Sequence, residues 1–112
     1  MSLYDMSQSV ISEPVLLILL SLAGSPRHGY ALLKDIESLS RGRVRLSTGT
    51  LYGALRRLLE KRCIERFQQE DTSREKQAYR LTPSGRAQLE GELERMKHLT
   101  RAAAARLKSR EA

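Results

Sequence analysis

Asn and Trp do not occur in the 112 residues, Phe occurs once, and Cys63 is the sole cysteine. Without Asn there is no N-glycosylation acceptor. With one thiol no internal disulfide can form, and a reducing cytoplasm is the simplest home. The two histidines, His28 and His98, stand far apart. No GxSxG, P-loop, CxxC or HExxH pattern occurs. These gaps argue against an enzyme and call for no metal or cofactor. The apolar run Val15–Leu20 is too short to span a bilayer, and no basic segment precedes it as in a signal peptide. Internal repeats and low-complexity stretches are absent too. A chain of this length makes one small domain with a modest core, so burial between two copies is expected to add to it.

Basic charge is what the chain has in excess. Lys and Arg number 20 against 13 Asp and Glu, a net charge of +7. The excess is concentrated. Residues 1–40 carry a net −2, whereas residues 41–63 hold seven basic side chains against one acid. Residues 64–82 are balanced and residues 83–112 carry +3. A basic segment in the middle of a small domain favours a polyanion as partner, nucleic acid before membrane.

That segment contains Leu46 to Cys63, LSTGTLYGALRRLLEKRC. Ser47 suits a helix N-cap. Leu51, Leu55, Leu58 and Leu59 follow at helical spacing and form one stripe to be buried. The opposite face collects Gly49, Thr50, Gly53, Arg56, Arg57 and Glu60, with Thr48 and Tyr52 beside it. Each glycine weakens a helix by roughly 1 kcal/mol relative to Ala. Small residues, hydroxyls, a tyrosine and paired arginines on an exposed face suit a recognition helix in a DNA major groove. A merely solvated face is the plain alternative, and the local charge excess favours the DNA reading.

In chain order, residues 1–11 form an N-terminal arm. Ser12, Glu13 and Pro14 start a helix through the apolar run to Ala23. Gly24, Ser25 and Pro26 end it. Gly29 to Ser40 is predicted as a second helix with Leu32, Leu33, Ile36 and Leu39 buried. Arg41, Arg43 and Arg45 alternate in the link to the third helix, as phosphate contacts or simple solvated charges more than as base readers. Ile64–Gln68 and Gln77–Leu81 read as two strands of a hairpin. Arg74 and Lys76 near its tip are candidate DNA contacts, opposed by Glu70, Asp71 and Glu75. Thr82 and Pro83 then restart a helix running almost to the end. Leu89, Leu93, Met96, Thr100, Ala103 and Leu107 recur along it at spacings of four and three, a dimerisation seam. The expected fold is mainly α with a small β-hairpin: a winged helix-turn-helix over residues 12–82 and a long C-terminal dimerisation helix over residues 83–112.

The segments HGY at 28–30, LSTGTLYGALRRL at 46–58 and AYRLTPSGR at 78–86, with the apolar first helix, resemble the PadR family of transcriptional regulators. The likeness covers roughly residues 12–90, and its single C-terminal helix resembles the shorter members. Tyr30 and Tyr52 match family tyrosines near DNA; packing of the ring on the domain with its hydroxyl in water is the plain alternative, evenly weighted for Tyr30 and less favoured for Tyr52. Gly53 stands where the family usually has Pro. Cys63 stands where it usually has Gly, which would strain a backbone of positive φ there. The resemblance implies a cytoplasmic, nucleoid-associated homodimer that represses from an inverted repeat on double-stranded DNA, and a small-molecule effector that releases it. With so few aromatics, a ring-lined drug pocket is not expected. An RNA-binding winged helix and a protein-interaction module are the alternatives from other classes.

Overall fold

The computed structural model describes residues 11–67 and 77–109. Helices α1 (Glu13–Gly24), α2 (Gly29–Leu39) and α3 (Thr48–Glu60) are followed by the hairpin strands and by α4 (Pro83–Ser109). Among the described residues three strands are present: β1 (Arg27–His28), β2 (Ile64–Phe67) and β3 (Ala78–Leu81), in the spatial order β1-β3-β2. Both pairings are antiparallel, with His28 opposite Ala78 and Ile64 opposite Leu81.

The predicted hairpin is therefore part of a three-stranded sheet. Strand β1 is two residues long, too short to display a period of two, so it left no signal in the sequence. Residues 68–76 and the arm up to residue 10 lie outside the described residues, and with them Arg74, Lys76 and their opposing acids.

Helices α1 and α3 start where their cap chemistry puts them, whereas the His28 side chain at the start of α2 makes no capping hydrogen bond. Ser12 Oγ accepts from the Val15 N–H at 3.4 Å, and Ser47 Oγ accepts from the Thr50 N–H at 3.1 Å. The buried face of α1 (Leu17, Ile18, Leu19, Leu22) meets Leu32 and Ile36 of α2 and Leu51, Ala54, Leu55 and Leu58 of α3. Of the predicted α3 stripe, Leu51, Leu55 and Leu58 are thus buried, and Leu59 is half-buried against the core. Leu39 departs from expectation and stays exposed. It is the last residue of α2, and the chain leaves the helix just after it through Arg41 (φ 54°) and Gly42 (φ 81°). A polar cluster ties α1, α2 and β1 together: Ser21 Oγ donates to Asp35 at 2.5 Å, and Arg27 Nε donates to the Ser21 carbonyl at 3.0 Å.

The second junction joins α3, the sheet and α4. The left-handed residue after α3 is Arg62 (φ 60°), not Cys63, so the expected strain falls one residue earlier than the cysteine. Cys63 is buried, with its Sγ 3.1 Å from Gln88 Oε1. Thr82 locks this turn. Its N–H donates to the Cys63 carbonyl at 3.1 Å, its hydroxyl donates to the Arg62 carbonyl at 2.6 Å, and the same oxygen accepts from the Gly85 N–H at 3.0 Å. Gly85 then lies against the Cys63 carbonyl so closely that a Cβ would overlap both its carbon and its oxygen. Backbone meets backbone there, so neither side can swing away.

Gly85→Ala should therefore lower stability by about 1–3 kcal/mol in denaturant unfolding. Gly91→Ala, in open space on the same helix, should raise it by roughly 0.5–1 kcal/mol. Equal stabilities for the two variants would contradict the packing described. Burial pushes the Cys63 thiol pKa up, against a smaller downward pull from Lys61. The folded protein should accordingly react slowly with a thiol reagent at pH 8, and rapidly once unfolded. Fast labelling under native conditions would show the thiol to be accessible.

Candidate nucleic-acid interface

With Leu51, Ala54, Leu55 and Leu58 turned inward, α3 presents Thr48, Gly49, Thr50, Arg56 and Arg57 to the outside. Gly53 is half-buried. A Cβ built on Gly49 or Gly53 would meet nothing within 4 Å, so the α3 backbone at these two positions is open to close approach from outside. Ser47 Oγ and Thr50 Oγ1 lie 2.9 Å apart, which fixes the Thr50 rotamer at the helix start. Among the described residues neither Arg56 nor Arg57 forms an ion pair.

The tyrosines differ in environment. Tyr52 is 45% exposed, and its hydroxyl end lies over Gly29, where any side chain would strike the ring. It thus spans from α3 to the first turn of α2 while keeping much of its surface free. Beneath this region Tyr79 is buried. Burial raises its pKa, Tyr52 adds to the rise and Arg66 opposes it. Tyr30 is 70% exposed and carries the Lys34 ammonium 5.4 Å from its ring centre. Lys34 was not singled out from the sequence. Its position four residues after Tyr30 on one helix was the available signal.

Two of the three linker arginines, Arg43 and Arg45, are not loose charges. Arg43 Nη2 lies 2.8 Å from Glu13 Oε2, and Arg45 Nε lies 3.0 Å from Glu37 Oε2. Glu13 precedes its partner by thirty residues, and no local pattern relates the two. On the sheet, Glu65 and Arg80 face each other across β2 and β3 at 2.7 Å, and the Arg80 guanidinium covers the Phe67 ring at 4.7 Å. The described part of the wing therefore neutralises its own cross-strand charge.

Along α4 the expected seam divides. Leu89 is buried in the domain's own core, because the first turns of α4 pack under α1 and β3. It is therefore not an exposed seam position. Leu93, Met96, Thr100, Ala103 and Leu107 are exposed, and so is Leu99, which the spacing did not select. A groove beside the helix is lined by Leu93, Met96, Lys97, Thr100 and Arg101, with no aromatic ring. No helix among the described residues is long and apolar enough to cross a membrane.

A family model described as the transcriptional regulator PadR-like family matches residues 17–91, from inside α1 to the first third of α4. An uncharacterised 37.1 kDa protein in transposon Tn4556 of Streptomyces fradiae is 40% identical over 89 residues. That match takes in 80% of this chain and 24% of the transposon protein, so the chain spans about a quarter of its length. Two solved structures share the fold. A transcriptional regulator from Clostridium thermocellum superposes with a TM-score of 0.68 at 25% identity, covering 84% of this chain and 95% of that one. A PadR family transcription regulator from Clostridium difficile superposes with a TM-score of 0.71 at 24% identity, covering 86% and 99%. With the motifs, the winged helix-turn-helix and the family match in agreement, the chain belongs to the PadR-like family of transcriptional regulators.

Proposed function

We propose that the protein is a homodimeric repressor that reads an inverted repeat in double-stranded DNA through the outer face of α3. The observation that carries this reading is that face itself. Arg56 and Arg57 project from it with no ion pair among the described residues, beside a helix start stripped of side chains at Gly49 and Gly53. An arginine of this kind forms two hydrogen bonds with the O6 and N7 of guanine in the major groove. Thr48 and Thr50 meet phosphates or thymine methyls. Tyr30 and Tyr52 lie at the edge of the contact, and Arg43 and Arg45 add phosphate contacts. The second copy is held through the exposed part of α4: Leu93, Met96, Thr100, Ala103 and Leu107. Such a row of apolar side chains, exposed on a helix that extends past the family match, is covered by an equivalent helix in a two-fold dimer.

Selection of bound fragments from random duplex DNA identifies the operator. Titrations on operator and scrambled duplexes then test the reading. Arg56→Ala or Arg57→Ala should cost about 1–3 kcal/mol on the operator and relax the preference at one position in each half-site. Unchanged ratios of operator to scrambled affinity for both variants would remove α3 as the base reader. If the dimer neutralises about 6–10 phosphates, affinity should fall by about 10³ to 10⁵ between 50 and 200 mM salt. A flat response would exclude the basic segment as the footprint. In sedimentation, Leu93→Asp with Met96→Asp should yield monomers that bind the operator weakly, and a double variant that stays dimeric would refute the seam.

A further inference from the structure

The linker between α2 and α3 is held by its own backbone. The Gly42 N–H donates to the Glu37 carbonyl at 2.8 Å, the Arg43 N–H to the Ser40 carbonyl at 3.2 Å, and the Val44 N–H to the Ser40 hydroxyl at 2.9 Å. Arg43 and Arg45 therefore start from a fixed turn, and the acids facing them are carried on helices. Glu13 sits in the first turn of α1 and Glu37 in the body of α2. Both arginine side chains remain 74% exposed, so the pairs stand in open solvent and are reachable by another anion. Two of the seven basic side chains in residues 41–63 are thus matched by acids from a segment of opposite net charge.

We propose that Glu13 and Glu37 limit DNA affinity: each competes with DNA phosphate for one linker arginine and holds down the sequence-independent part of binding. The proposal rests on the DNA-binding reading above. Phosphate contacts position a protein on DNA without reading sequence, and they supply nearly all non-specific binding. A carboxylate that must be displaced before Arg43 or Arg45 reaches a phosphate subtracts from that contribution alone. The base contacts offered by Arg56 and Arg57, which have no such competitor among the described residues, then carry a larger share of operator affinity.

Exposed ion pairs of this type correspond to about 1.4- to 5-fold in an equilibrium constant each. A two-fold dimer would contain four of them. Glu13→Gln with Glu37→Gln should therefore raise affinity for scrambled duplex DNA by at least about fourfold at low salt. The gain should vanish when Arg43→Ala and Arg45→Ala are also present, because nothing is left to compete for. Loss of the two arginines should also cost more in the Gln background than in the wild type. An affinity unchanged by the Gln substitutions would overturn the proposal. So would a gain that persists without the arginines, since it would reflect net charge rather than competition. Wild-type binding separates this failure from that of the underlying reading. If the unaltered protein shows no salt-dependent binding to duplex DNA, the DNA-binding reading falls and takes the competition with it.

Discussion

Gly85 pressed against the Cys63 carbonyl is the constraint on which the arrangement of the molecule depends. The end of α3, the start of β2, the end of β3 and the start of α4 all meet within that turn. Thr82 binds it from three sides, capping α4 with the same hydroxyl oxygen that donates to the Arg62 carbonyl. The angle between the α3 face and α4 is therefore tied to a backbone-to-backbone contact, supported by the Thr82 hydroxyl and by Leu89 in the core. In the proposed dimer, with α3 on DNA and α4 on the second copy, that angle fixes the spacing of the two reading heads. A rigid junction converts dimer geometry into half-site spacing, and a loose one would not.

How much of this was legible depended on how local the cause was. Helix α3, its Ser47 cap and its leucine stripe follow from neighbouring residues, and so does the Thr82 cap of α4. What escaped was non-local or too short. Strand β1 has two residues and exists because β3 offers it an edge. Leu89 satisfies the seam spacing as well as Leu93 does, but α1 and β3 lie over the first turns of α4, so it joins the core. Spacing identifies a face of a helix and does not say which length of that face meets its own domain. The expected strain at Cys63 belongs to Arg62, because a substitution pattern marks a turn to within about a residue while φ belongs to one residue. The partner of Arg43 lies thirty residues away and carries no sequence signal.

Charge shows the same contrast between composition and geometry. The concentration of basic residues in the middle of the chain points to a polyanion as partner but treats its arginines as equivalent. In three dimensions they divide. Arg43 and Arg45 face carboxylates, whereas Arg56 and Arg57 project from the helix without an acidic partner among the described residues. Arg80 is engaged twice, by Glu65 and by the Phe67 ring. Pairing, more than number, separates the arginines that already face an acid from those with no acidic partner among the described residues.

Guanine methylation interference on a selected operator tests the central claim most directly. Methyl groups at N7 project into the major groove and block an arginine from that edge of the base. Two symmetric clusters of interference are expected, one in each half-site, with centres about 10 or 20 base pairs apart. Each cluster should disappear when Arg56 and Arg57 are both replaced by Ala. Interference that is absent, confined to one side of the operator, or unchanged in that variant would contradict base reading by the α3 face of a symmetric dimer.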